Sequence, residues 1–215
     1  MEKQELVVIA DSFMDVGIEM SEAILDSFLT DGVFKEIPIL NIIISGFKAG
    51  KQYKDVLYMK KLAAFIFGFV ALPKRTDKKV SRAIEDADRR KDLGESILLI
   101  IDRVDSVKKA DLSGRVFALL KNGDIESSTF LRLCHMIDKT YYDDLLFLKK
   151  FKDVDMVLTS FNDILEDTIL EELFSSGWLS EVGFDGGNAS GTNAGTRYRL
   201  NQYGKTIIGL LGKGE

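Results

Sequence analysis

Two short apolar runs, residues 37–47 and 62–72, stand out in the hydrophobic pattern of the chain, and a basic segment joins them. Each run is about ten residues long, whereas a helix that spans a bilayer needs about 20 apolar residues. The pattern therefore predicts two helices, residues 39–48 and 53–71, which form a central apolar hairpin within residues 37–72. Such a hairpin must be buried in the fold, against a partner or against a membrane surface.

Helical spacing of apolar residues continues through most of the chain. Its two prolines, Pro38 and Pro73, bracket the hairpin, and the long proline-free remainder favours helices over an all-β sandwich. The hydroxyl of Ser127 or Ser128 is expected to cap one of these helices. The helices predicted outside the hairpin are residues 12–29, 74–92, 94–109, 111–121, 127–139, 141–151, 161–176 and 202–211.

The C-terminal part of the chain combines helix, strand and glycine-rich loop. An acidic helix runs into the sequence Gly-Trp-Leu, and the glycine-rich residues 183–195 separate two strand-like stretches. This order, closed by the segment LNQYGKTIIGLL, resembles a winged helix, with Asn201 where the pattern usually has threonine. We therefore predict a mainly α fold, with a helical bundle over residues 1–152 and a small winged-helix-like α+β module over residues 153–215.

The net charge of −5 conceals a segregation of charge along the chain. Residues 153–185 carry nine acids and no basic residue, whereas residues 47–92 carry an excess of lysine and arginine. Such segregation predicts complementary charged faces, either within one fold or between subunits. A single cysteine, Cys134, excludes an intramolecular disulfide and fits a reducing compartment. The acidic N-terminal segment is unlike a secretory signal, so we expect a cytoplasmic protein, peripheral to the membrane if the hairpin opens.

The residue patterns of common catalytic sites are incomplete in this sequence. Cys134 and His135 are adjacent, and neighbours on a helix point about 100° apart, so they do not form a nucleophile–base pair. Residues 204–206 read Gly-Lys-Thr like the end of a phosphate loop, but Arg199 stands where the loop needs its first glycine. The paired carboxylates converge with no histidine. We predict a non-enzymatic protein without cofactor or metal.

The predicted helix over residues 161–176 is the first candidate interaction site, because its polar residues are almost all acidic. We predict that it binds a protein partner or a second copy of the chain. The candidate contact residues are Asp163, Glu166, Asp167, Glu171 and Glu172.

A winged helix also suggests DNA binding, and Arg197, Arg199 and Lys205 are the side chains that would touch a nucleic-acid backbone. The acidic helix argues against this alternative, because it would be repelled by a duplex that carries one negative charge per about 1.7 Å. Nucleic acid is therefore not the expected partner.

The apolar hairpin suggests a third alternative, a latent effector that inserts into membranes. Phe65, Phe67 and Phe69 make the end of the second helix apolar on all sides, which is typical of a helix that is buried centrally or leaves water altogether. Lys51 and Lys54 would then meet anionic headgroups, each contributing on the order of 1 kcal/mol. The other interpretation is a simple core helix.

Residues 93–211 resemble small bacterial and prophage proteins of the abortive-infection alpha type. The resemblance depends on the hydrophobic pattern of the segments RVFALLKNGDIESSTFLRL and YGKTIIGLL, and on the winged-helix-like end. It implies a role in phage–host conflict, as defence or as its inhibition, and it implies no chemistry. The resulting hypothesis is an interaction protein that acts by protein–protein binding.

Overall fold

The fold is mainly helical, with a small three-stranded antiparallel sheet near the C-terminus, and this coarse prediction is confirmed. The chain divides into two compact units, Met1–Leu131 and Arg132–Glu215, whereas the sequence pattern placed the boundary after residue 152. The predicted helices over residues 12–29 and 39–48, and most of that over 74–92, lie outside the described residues. The computed structural model describes residues 54–72, 87–154, 156–159, 163–187 and 194–211.

In the first unit, the described elements are helices. They are α1 (Lys54–Ala71), α2 (Ala87–Arg103), α3 (Val107–Lys121) and the first part of α4 (Ser127–Lys139), which continues into the second unit. The predicted bounds of α4 are confirmed, and Ser127 is its first helical residue rather than its cap.

The prediction of one helix over residues 94–109 is wrong. Helix α2 runs through Gly94, and burial of neighbours such as Ile97 offsets the roughly 1 kcal/mol that an interior glycine costs. The chain instead breaks before Ser106, whose hydroxyl accepts a hydrogen bond from the backbone N–H of Lys109 at 3.2 Å and caps α3. A local cap therefore prevailed over the hydrophobic periodicity.

Helices α1 and α3 cross with their backbones in direct contact, and two glycines make this possible. A methyl group on Gly68 would overlap the backbone carbonyl of Asp111, and a methyl group on Gly114 would overlap the carbonyl of Phe65. Each helix thus supplies a glycine at the point where the other helix comes closest. Side chains on either side of the crossing are brought into the core of the first unit.

Four phenylalanines form the centre of that core. The ring of Phe117 lies 5.7 Å from Phe65, 5.3 Å from Phe69 and 5.7 Å from Phe130, measured between ring centroids. These tilted and edge-on arrangements are the ones that aromatic rings prefer. The aromatic end of α1 is therefore accounted for by packing within this unit.

The C-terminal end of α2 is held to α1 by a buried lysine. The Lys61 ammonium group donates hydrogen bonds to the carbonyl oxygens of Asp102 (2.7 Å) and Val104 (2.9 Å), which suits a cation at a helix C-terminus. Burial and, second, the carboxylate of Asp102 raise the pKa of Tyr58 to about 12. The cost of burying the Lys61 ammonium group is thus offset by its hydrogen bonds.

In the second unit, short helices alternate with the strands along the chain. After α4 come α5 (Tyr142–Phe147), a 3₁₀ turn (Leu148–Phe151), β1 (Val157–Leu158), α6 (Ile164–Ser175), β2 (Leu179–Asp185), β3 (Gly195–Leu200) and α7 (Gln202–Ile208). Strand β3 is central, in the order β1-β3-β2, and pairs antiparallel with both neighbours. The predicted strands on each side of the glycine-rich loop are confirmed.

Trp178 anchors this unit from the inside. Its side chain is fully buried, and its Nε1–H donates a hydrogen bond of 2.8 Å to the hydroxyl of Thr140, which in turn donates to the carbonyl of Met136. The indole therefore ties the start of β2 to the end of α4.

Asn201, which stands where the winged-helix pattern usually has threonine, makes hydrogen bonds that a threonine could not all make. Its Oδ1 accepts hydrogen bonds from the backbone N–H groups of Tyr203 (2.9 Å) and Gly204 (3.0 Å), which caps α7. Its Nδ2 donates to the carbonyl oxygens of Gly177 (2.6 Å) and Leu179 (3.3 Å). A threonine hydroxyl has one hydrogen to donate, whereas the amide donates two while it caps.

We expect Gly114→Ala to lower the free energy of unfolding by at least about 2 kcal/mol, because the added methyl meets backbone that cannot move aside. The measurement is urea unfolding followed by circular dichroism. Gly209→Ala is the control, since its added methyl meets the Thr206 carbonyl at an ordinary 3.6 Å. Equal unfolding midpoints for the two variants would contradict the close crossing.

We expect Asn201→Ala to destabilise the second unit by about 1–2 kcal/mol, because a helix cap is lost and buried carbonyls lose their donor. Asn201→Thr, which retains a capping oxygen, should fall between the alanine variant and the parent. Fluorescence of Trp178, the one tryptophan of the chain, reports this transition during denaturation. A threonine variant less stable than the alanine variant would refute the capping role.

Candidate functional site

Helix α6 has strong local signals at both ends. Asp163 caps it, since its Oδ1 accepts a hydrogen bond of 3.0 Å from the backbone N–H of Glu166. At the other end Gly177 adopts a left-handed conformation with φ of 88°, and Trp178 N–H bonds to Leu173 O. The glycine-terminated end is a Schellman motif, and it delivers Trp178 into the core.

The outer surface of α6 is partly apolar, which the sequence analysis did not anticipate. Leu170 and Leu173 are buried, but 82% of Ile164 and 71% of Leu165 are exposed. Residues three, four and seven apart lie on one side of a helix, so Ile164 lies in line with Thr168 and Glu171. We define the α6 face as the exposed residues Ile164, Leu165, Thr168, Glu171 and Glu172.

The sequence contains a signal for the exposure of Ile164 and Leu165 that the prediction of an acidic contact face did not use. The next apolar pair, Ile169 and Leu170, follows five residues later, and five residues turn a helix by about 140° beyond a full circle. Two apolar pairs at that spacing cannot both point into one core. One pair of this helix therefore had to face outwards.

The five predicted acidic contact residues do not form one face. Asp163 caps the helix, and the Oε2 of Glu166 forms an ion pair with the Nζ of Lys150 at 3.0 Å. Asp167 is half-buried, whereas Glu171 and Glu172 are exposed together on the α6 face. Of the predicted set, these two neighbouring glutamates are the pair exposed side by side.

Negative charge from neighbouring elements gathers around the C-terminal half of α6. Burial, then the carboxylates of Glu172 and Asp143, raise the pKa of Asp144 on α5. Burial, then the carboxylates of Glu171, Glu181 and Asp167, likewise raise the pKa of Tyr198 on β3. The α6 face thus carries a negative potential to which several elements contribute.

The predicted nucleic-acid contacts are spread over two elements. Arg197 and Arg199 are exposed on β3, and Lys205 is exposed on α7. Arg197 on β3 forms an ion pair with Asp185 on β2. A hydrogen bond from the backbone N–H of Gly187 and, second, the Arg197 guanidinium group lower the pKa of Asp185. A phosphate in contact with Arg197 would have to share the guanidinium group with Asp185.

The described part of the predicted hairpin is α1. Phe65 and Phe69 are buried and Phe67 is half-buried, while Lys51 and the side chain of Lys54 lie outside the described residues. Over the described ranges, none of the helices combines the length and apolarity that crossing a membrane requires. Insertion of the hairpin into a membrane stays a prediction.

Cys134 and His135 lie in different environments. The thiol of Cys134 is buried, whereas the imidazole of His135 is exposed. Within the described ranges, no three His, Cys, Asp or Glu side chains are grouped closely enough to hold a metal ion.

We expect Glu172→Gln to lower the pKa of Asp144 towards its ordinary range, because a like charge beside it is removed while its burial remains. The measurement is a carbon-detected NMR titration of the side-chain carboxyl groups. Glu181→Gln, which acts on Tyr198, is the control and should leave Asp144 unchanged. An Asp144 pKa that does not respond to Glu172→Gln would show that the two carboxylates are not close.

Comparison with known proteins identifies no relative. No protein-family model, curated protein or solved structure matches the chain. The resemblance to abortive-infection proteins therefore stays a prediction.

Proposed function

We propose that the chain is a non-enzymatic interaction protein that binds a protein partner through the α6 face, and that residues 153–215 form a winged-helix-like module presenting that face. One observation carries the proposal. Ile164 and Leu165 expose 82% and 71% of their surface on the same side of α6 as Glu171 and Glu172. An apolar patch bordered by charge is typical of a protein interface.

The energetics favour a protein partner with a matching surface. Full burial of an aliphatic side chain contributes about 1.5–3 kcal/mol relative to exposure, and α6 offers two such side chains side by side. The glutamates at the other end of the face select a partner by charge and steer its approach. The partner surface that fits has apolar or aromatic groups at one end and lysine or arginine at the other.

The same charges make a nucleic-acid partner a weaker choice. Helix α6 carries no lysine or arginine, so its exposed face would repel a phosphate backbone. One of the predicted basic contacts, Arg197 on β3, is already paired with Asp185. The winged-helix-like module is therefore proposed to serve protein contact.

The biological setting that we propose is phage–host conflict, as defence or its inhibition. It derives from the resemblance of residues 93–211 to abortive-infection alpha-type proteins, which is a likeness of hydrophobic pattern. The identity of the partner tests this part of the proposal: a phage-encoded protein or a target of phage attack would support it, whereas a second copy of the chain would leave the setting to the resemblance alone.

We expect a photoreactive amino acid at position 165 to cross-link a discrete protein in cells, because the α6 face is covered when the partner binds. The same group at Phe184, which is 64% exposed on β2, is the matched control and should give no such product. Mass spectrometry identifies the cross-linked protein.

The position-165 product should disappear when Glu171→Lys and Glu172→Lys are introduced together, because the steering charge is reversed. Equal products from positions 165 and 184, or a product that persists in the charge-reversed protein, would contradict the proposed role of the α6 face. Unchanged circular dichroism of the variant confirms that folding is retained.

A further inference from the structure

We infer that the partner seated on the α6 face is a second copy of this chain, which binds through a basic face on α4. The inference rests on the proposed function and names its partner. We define the α4 face as the residues Arg132, His135, Lys139 and Tyr141, all of them exposed.

The α4 face follows from the pattern of α4. Leu133, Cys134 and Ile137 turn inwards and are buried. Arg132, His135 and Lys139 are spaced by three and four residues, so they form one stripe on the outer side. Tyr141 follows the helix end and is 66% exposed, which extends the stripe with an aromatic ring.

The two faces match in length and in the order of their chemistry. From Arg132 to Lys139 is seven residues, and from Ile164 to Glu171 is also seven, about 10 Å of helix in each case. In an antiparallel pairing Arg132 meets Glu171 and Glu172, while the methylene stem of Lys139 and the ring of Tyr141 reach the aliphatic pair Ile164 and Leu165. Each end of one face thereby finds its complement on the other.

The pairing must occur between two chains rather than within one. Both faces are exposed in the single chain, so neither covers the other. The cation that α6 does receive from its own unit, Lys150, binds Glu166 outside the α6 face. The charges of Glu171 and Glu172 thus remain directed to an approaching molecule, and every further copy of the chain supplies Arg132 to meet them.

The test is a charge exchange between the two faces, followed by sedimentation equilibrium of the purified full chain over a range of concentrations. One variant carries Glu171→Lys and Glu172→Lys, and the other carries Arg132→Glu and Lys139→Glu. In each variant alone the two faces carry like charge. We expect the association constant of each to fall by at least about tenfold, because attraction becomes repulsion.

A mixture of the two variants distinguishes direct pairing from loss of folding. In the mixed pair both contacts are complementary again, one native and one exchanged, so we expect association to return close to that of the parent. Arg199→Glu with Lys205→Glu changes two exposed cations on neither face and should leave association unchanged. Raised ionic strength should weaken the parent association.

The inference is overturned if the parent is monomeric at all concentrations, if either variant associates like the parent, or if the mixture fails to restore association. A monomeric parent that still cross-links a different protein from position 165, with loss on Glu171→Lys and Glu172→Lys, would leave the proposed function standing without self-association. Loss of every position-165 product would overturn both.

Discussion

The first unit depends on the contact between α1 and α3, where Gly68 and Gly114 let two helix backbones touch. A crossing this close brings the aromatic end of α1 onto Phe117, and it leaves no room for a side chain at either glycine. The same approach brings α1 alongside the end of α2, where Lys61 caps its last carbonyls. An all-apolar helix end and a buried lysine therefore belong to one packing solution.

The second unit is organised by what α6 can and cannot bury. The Schellman turn at Gly177 sends Trp178 inwards, and Leu170 and Leu173 pack on the inner side of the helix. With that side fixed, Ile164 and Leu165 are directed to the outside. Two neighbouring aliphatic side chains that are exposed this far are the reason why the α6 face is proposed as the surface that binds a partner.

The negative charges around the C-terminal end of α6 also favour the α6 face as the proposed binding surface. Glu171 and Glu172 lie near the C-terminal end of α6, where the helix dipole disfavours negative charge, and Asp144 is close to Glu172. Because the folded state raises the pKa of Asp144, folding holds its proton more tightly than the unfolded chain does. Stability therefore falls as the pH rises through the range in which Asp144 ionises. A cationic side chain from a partner relieves this repulsion.

The sequence by itself determined the mainly helical character, the bounds of α4, the strands on each side of the glycine-rich loop and the acidic character of α6. These features follow from periodicity, caps and turns, which act over a few residues. Tertiary structure decided the rest. It set the need for glycine at positions 68 and 114 and the exposure of Ile164 and Leu165 beside Glu171 and Glu172. Each depends on which side of an element packs against another element that is distant in sequence. A local pattern of residues does not show which distant elements meet.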